Sequence, residues 1–157
     1  MKNHSELFNK INNKFSTNTL LNCFNILNEW KFNIKEFDQE WLQPPYNYRK
    51  ILLNKNHDMD MYLIIWNINA KTPIHDHSSN GCLLKVIQGL LKETLYDTND
   101  IKTSNAVRIL TLGSTGYLHN SIGYHKVENI HNDLSLSIHI YSPANYKTNY
   151  FKNELKK

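Results

Sequence analysis

Along the first third of the chain, apolar residues recur at intervals of three and four. Leu7, Phe8, Ile11 and Phe15 do so within residues 5–15, and Leu20, Leu21, Phe24, Leu27 and Trp30 within residues 18–30. Both patterns predict helices with one buried face. Ser16, Thr17 and Asn18 form a polar break with capping residues between them. A third short helix is predicted over residues 34–42, with Phe37 and Trp41 on one face, and Pro44-Pro45 ends it.

After Pro45 the period changes. Short runs rich in Ile, Leu, Val and Tyr follow one another, divided by Asn, Asp, Gly and His. They predict strands near residues 48–53, 61–67, 82–88, 91–96, 106–110, 124–128 and 134–141. Gln88-Gly89-Leu90 is a tight connection that pairs the third with the fourth. Many short strands at regular spacing predict a sandwich or barrel. The expected layout is a mainly β fold, with helices over residues 1–43 and a β domain over residues 46–151.

Composition narrows the class. A chain of 157 residues, 40% of them apolar, reads as one domain that buries a core without staples. Two cysteines, Cys23 and Cys82, are too few for a disulfide framework and predict a reducing, cytoplasmic compartment. No apolar run reaches the roughly 18 residues of a membrane span, and the N-terminus lacks the apolar core of a signal peptide. Lys and Arg total 18 against 14 acidic residues, a formal charge of +4. The lysines are scattered, Lys156 and Lys157 read as a solvated tail, and no basic stripe interleaves with aromatics. A nucleic-acid partner is therefore not expected. The chain is expected to be a monomer.

Candidate chemistry starts with eight histidines. His75 and His77, in Ile74-His75-Asp76-His77, stand two apart, so on a strand they present two imidazoles to one side. His125 and His139 lie on later β segments. Imidazoles converging inside a barrel make a metal site, because neutral imidazole suits Fe, Zn, Ni and Cu. Alone, a His-x-His pair is weak; its surroundings add weight.

Those surroundings resemble the cupin pattern, in which His-x-His, an acid and a Gly are followed later by a Gly-rich turn, a His and an Asn. Here His75-Asp76-His77 is followed by Cys82 and Gly89, and Gly123-Tyr124-His125 by Asn129. Cys82 stands where the carboxylate ligand is expected. With that substitution, the stretch from His75 to Tyr96 resembles the first motif of the cysteine dioxygenase family. Asn120 to Asn129 resembles its second motif, and Leu136 to Pro143 its third. Arg49, 26 residues before His75, corresponds to that family's carboxylate-binding arginine. The likeness covers residues 46–151, about two thirds of the chain.

The resemblance implies a jelly-roll-like cupin barrel in which His75, His77 and His125 hold one Fe(II) per chain. It implies that Arg49 binds the substrate carboxylate and that Tyr141 sits over the iron. Cys82 would form a thioether crosslink with Tyr141, and Ser137 and His139 would continue a relay to Tyr141. The implied reaction oxidises L-cysteine with O2 to cysteine sulfinate. Elementary chemistry agrees. Three neutral imidazoles leave the metal its full charge, and a metal deprotonates a coordinated thiol. A guanidinium suits a carboxylate. Ser137, His139 and Tyr141 alternate at period two and so face one side.

The chain departs from the family in several places. Gly81 stands where a histidine often precedes the cysteine, and Asn47 where a tyrosine near the substrate is expected, with Tyr46 and Tyr48 beside it. Thr148 replaces a second cysteine, and the loop between His125 and Tyr141 is one residue short. Taken singly, the same residues have plainer readings. Cys23 reads as core, Trp30, Trp41 and Trp66 as packing, His4 as part of a disordered end, and His57, His119 and His131 as loop residues. His139 alone is a satisfied interior histidine. Ser142-Pro143 is a candidate cis peptide. Two other functions stay open: a dioxygenase of another small thiol, such as 3-mercaptopropionate or cysteamine, and a non-catalytic metal-binding cupin.

Overall fold

The computed structural model describes residues 3–15 and 19–151. The polar break at Ser16-Thr17-Asn18 and the Lys156-Lys157 tail lie outside the described residues. Ten strands follow the N-terminal helices. They are β1 (Tyr48–Lys55), β2 (Asp60–Trp66), β3 (Ile74–His75), β4 (Cys82–Gln88), β5 (Leu91–Tyr96), β6 (Ser104–Leu110), β7 (Thr115–Leu118), β8 (Tyr124–Asn129), β9 (Ser135–Tyr141) and β10 (Tyr150–Phe151). They form two five-stranded antiparallel sheets, ordered β1-β2-β9-β4-β7 and β10-β3-β8-β5-β6.

The first sheet is covered on both faces, which is why β2, β4 and β9 are buried almost throughout. Side chains alternate across a strand. Met61, Leu63, Ile65, Leu83, Ile87, Leu136, Ile138 and Ile140 point outward and pack against Leu7, Phe8, Ile11, Leu20, Cys23 and Leu27 of the helical segment. The alternate positions Ile64, Trp66, Leu84 and Val86 point inward and meet Leu91, Leu110 and Val127 of the second sheet. The sequence therefore makes two cores, one under the helices and one between the sheets.

The helices exist to supply that outer cover. α1 (Asn3–Lys14) buries His4, Leu7, Phe8 and Ile11 on one face. α2 (Phe24–Glu29) is shorter than the pattern over residues 18–30 predicts, because a 3-10 turn at Leu21–Cys23 precedes it. Lys85, buried on the outward face of β4, donates from Nζ to Leu27 O at 3.1 Å and Asn28 O at 2.6 Å. A cation there satisfies the last carbonyls and complements the negative end of the helix. The predicted helix over residues 34–42 is two 3-10 turns, Ile34–Glu36 and Gln39–Leu42. Asn33 and Asp38 each accept a hydrogen bond from the amide two residues on, at 3.1 and 3.0 Å, so the segment starts twice and never propagates.

His4 also departs from expectation. It is buried in α1, with Nδ1 2.7 Å from Asn54 Oδ1 and its ring stacked on Phe37. Strands β3, β7 and β10, of two to four residues, are too short to leave a periodic signal. The Ser142-Pro143 peptide is cis. Among the described residues no helix is long and apolar enough to cross a membrane.

Candidate metal centre and its cavity

His75 ends β3 and is Cα-paired with His125 of β8, while His77 follows two residues on. Gly123 admits the chain into β8. Its φ is +147°, and a Cβ there would lie 2.6 Å from the Tyr96 carbonyl oxygen, so only glycine fits. Asn120 clamps the backbone of His77, accepting from its amide at 2.9 Å and donating to its carbonyl at 3.2 Å. Asp76, between the two histidines, faces the other way. It accepts from the Asn149 amide and side chain, both at 2.8 Å, and so draws the segment before β10 over His75. The result is three histidines that each bring one ring nitrogen within 4.8 Å of the other two. His77 and His125 are buried and His75 is half-buried.

Whether these residues suit a cation can be judged from their hydrogen bonds. His75 donates from Nδ1 to Pro73 O at 2.9 Å, and His125 donates from Nδ1 to Glu93 Oε2 at 2.8 Å. Each neutral ring carries one proton, so both Nε2 atoms expose lone pairs. Yet those two atoms lie 2.8 Å apart. Two facing lone pairs at that distance repel unless something positive joins them. Neither buried ring nitrogen of His77 has a partner among the described residues. Burial holds all three rings below the usual histidine range, and neighbouring imidazoles push His77 and His125 further the same way. The three rings are neutral and convergent, which is the state a metal requires.

His139 is not part of that triad. Its Nε2 lies 2.8 Å from Ser137 Oγ and its Nδ1 3.3 Å from the Tyr141 hydroxyl. Trp66 Nε1 donates to Ser137 Oγ at 2.8 Å. The serine proton is then directed to His139 Nε2, the ring keeps its proton on Nδ1, and that proton goes to the Tyr141 oxygen. Trp66, expected as packing, is therefore the head of the chain. Burial keeps His139 neutral and pushes the Tyr141 phenol well above its ordinary value.

Cys82 is Cα-paired with Tyr141 across β4 and β9, so both project to the same face. Its thiol is buried, which pushes its pKa up to about 12. Gly81 sits in the left-handed region, φ +94°, and a Cβ there would lie 2.6 Å from the Tyr117 ring. A histidine at this position would need both the backbone and that ring to move.

Arg49 is the sequence-predicted site residue that the structure does not bring in. It is Cα-paired with Ile65, an outward residue, and donates from Nη1 to the carbonyls of Trp41 and Gln43, both at 3.2 Å. Its neighbours Tyr48 and Lys50 pair with the inward Trp66 and Ile64 and line the cavity beside His75, His125, His139 and Tyr141. Lys50 Nζ lies 4.8 Å from the ring centroids of both Tyr62 and Tyr141, at the exposed mouth. The physical reason is a β-bulge: Leu53 is an extra residue between the Leu52–Tyr62 and Asn54–Met61 pairs. An extra residue inverts the parity of everything before it, so spacing from His75 cannot tell the two faces apart. The same offset explains Asn47, whose side chain bonds the Lys71 backbone while Tyr48 enters the cavity. Thr148 lines the same cavity.

The sequence reading missed Glu93, Asn120, Asp76, Lys50 and Trp66. Only Lys50 carried a usable signal, as a cation two residues from Tyr48 on a strand. A roomier groove, about 640 Å³, lies on the outer side between residues 28–32 and 85–87, away from the histidines. Volume does not locate the chemistry here.

Comparison with known proteins agrees with the geometry. A profile of the family described as cysteine dioxygenase type I matches residues 11–154. Cysteine dioxygenase type 1 of Rattus norvegicus is 36% identical over 121 residues, covering 73% of this chain and 57% of that protein. The Homo sapiens protein is 37% identical over the same length and coverage. The chain thus spans less than two thirds of the length of these relatives. A Klebsiella pneumoniae protein with a double-stranded β-helix domain superposes with a TM-score of 0.60 at 14% identity, covering 73% of this chain and 88% of that one. That likeness places the fold among the cupins.

Proposed function

Since the chain belongs to the cysteine dioxygenase type I family, we propose that it is a mononuclear non-haem Fe(II) enzyme that oxidises L-cysteine with O2 to cysteine sulfinate. The observation that carries this reading is the opposed lone pairs of His75 and His125 beside the partnerless His77. They lie beside a cavity that also presents a lysine and a hydrogen-bonded tyrosine. Held by His75, His77 and His125, Fe(II) would supply what no side chain here offers: Lewis acidity that favours thiolate over thiol, and redox chemistry toward O2.

The remaining roles belong to the chain. Lys50 sits at the mouth, where its ammonium meets the carboxylate that cysteine carries and cysteamine lacks. His139 donates to the Tyr141 oxygen, so the phenol proton is directed away from the relay and toward the cavity. Trp66 and Ser137 hold that orientation. Both atoms of O2 end on the substrate sulfur and the thiol hydrogen is retained as the sulfinic acid proton, so no external reductant is needed. Oxygen consumption by the iron-loaded protein with L-cysteine, 3-mercaptopropionate and cysteamine in turn tests the assignment. Cysteine is expected to be oxidised fastest, with one O2 consumed per thiol. No uptake with any of the three would refute it.

The pairing of Cys82 with Tyr141 supports a thioether between Sγ and the ring carbon beside the hydroxyl, formed during turnover with loss of two hydrogens to O2. Protein taken through many turnovers is expected to run as two bands after denaturation, and Cys82→Ser as one. A peptide map with Cys82 and Tyr141 always on separate, unmodified peptides would rule the link out.

A further inference from the structure

A ligand of the proposed metal and two side chains that the reaction above leaves unused stand in a row across the second sheet, on its adjacent strands β8, β5 and β6. They are His125, Glu93 and Arg108. Arg108 is Cα-paired with Glu93, and His125 with Leu95 two residues further along β5, so all three share the inward face. Glu93 is 1% exposed. Its Oε2 accepts from His125 Nδ1 at 2.8 Å, its Oε1 accepts from Arg108 Nε at 2.6 Å, and Arg108 Nη2 stands in ion-pair contact with the same oxygen. Arg108, on the edge strand, reaches solvent.

The three imidazoles are thereby unequal. His75 donates its Nδ1 proton to a neutral carbonyl, and the His77 ring has no partner among the described residues. His125 donates to a buried carboxylate. An acceptor with a full negative charge fixes the ring's tautomer, draws the proton toward itself and makes the opposite nitrogen a stronger electron donor. The guanidinium holds one oxygen of Glu93, through the Nε hydrogen bond and the ion-pair contact of Nη2, and leaves the other oxygen for the histidine. A salt bridge built only to join β5 to β6 would not need that second oxygen turned inward.

We propose that Glu93, held by Arg108, is a positioning residue that sets how tightly His125 grips the metal and how readily that metal is oxidised. The proposal rests on the metal-binding reading and extends it to residues outside the triad. It predicts that charge at Glu93, beyond shape, matters at the centre. An ionised acceptor favours the more highly charged metal, so removing its charge shifts the equilibrium toward Fe(II).

The test uses the whole chain, with Fe(II) affinity measured by chelator competition and the Fe(III)/Fe(II) midpoint potential by titration. Glu93→Gln keeps an acceptor of the same size. It is expected to bind Fe(II) about ten- to hundredfold more weakly and to show a more positive potential. Affinity and potential both unchanged in a folded Glu93→Gln protein would overturn the proposal. Should Glu93→Gln not fold, Arg108→Met and Arg108→Lys decide. Weaker Fe(II) binding in the methionine variant, recovered by lysine, supports the proposal, and wild-type affinity in both overturns it. A wild-type chain that binds no Fe(II) would instead defeat the metal-binding reading itself, so the two failures are distinguishable.

Discussion

His77→Ala is expected to abolish iron retention and turnover while leaving the metal-free fold as stable as before, or slightly more so. The two effects have opposite origins. His77 supplies one of three convergent imidazoles, so its loss leaves two ligands and weakens binding beyond the roughly ten- to hundredfold effect of disturbing a ligand's supporting partner. In the metal-free protein the same ring buries two nitrogens without partners among the described residues. An unsatisfied buried polar group costs about 1–3 kcal/mol, and alanine removes that cost, offset by the small cavity it leaves. Thermal unfolding with and without Fe(II) separates the two. Wild type gains stability from the ion by mass action, about 2.7 kcal/mol at a hundredfold excess over Kd, and the variant gains none. His139→Ala, whose ring is already engaged on both nitrogens, is expected to keep its iron and lose rate. Iron lost from His139→Ala but kept by His77→Ala would reverse the ligand assignment.

Lys50→Met is expected to raise the apparent KM for cysteine about ten- to hundredfold at unchanged iron content. A hydrogen bond to a charged group is worth about 1.5–3 kcal/mol, and each 1.4 kcal/mol is tenfold. Cysteamine has no carboxylate, so its kcat/KM is expected to be nearly indifferent to the substitution. Arg49→Met is the matched control, because its guanidinium ties β1 to the carbonyls of Trp41 and Gln43 and does not reach the cavity. It is expected to lower stability and leave the KM for cysteine alone. A large KM effect in Arg49→Met with none in Lys50→Met would show that the carboxylate is read from the other face.

The contrast between these two neighbours shows where the sequence is legible. The Ser137-His139-Tyr141 alternation lies within β9, where period two decides which side chains share a face, and His75 and His77 are only two residues apart at the end of β3, so both rings reach one point. Arg49 and Lys50 are separated from the histidines by a bulge, and a single extra residue at Leu53 inverts the faces. Glu93 and Arg108 were invisible for a different reason. Each sits on a strand as an ordinary charged residue, and only the pairing of β5 with β6 and β8 brings them to His125. The helical spacing of Leu7, Phe8, Ile11 and Leu27 predicts a buried face, and only the structure shows that this face covers the sheet. The expected helix over residues 34–42 does not form, because Asn33 and Asp38 divert the backbone into 3-10 turns. Lys85 shows the same limit, since a lysine on a strand gives no sign that it will cap a helix.

The central claim is that this chain adds both atoms of O2 to the sulfur of cysteine. Turnover of the iron-loaded protein with L-cysteine under ¹⁸O2, followed by mass spectrometry of the product, tests it directly. The account predicts cysteine sulfinate carrying two labelled oxygens from a single O2. Cystine, or sulfinate with oxygen drawn from water, would contradict it.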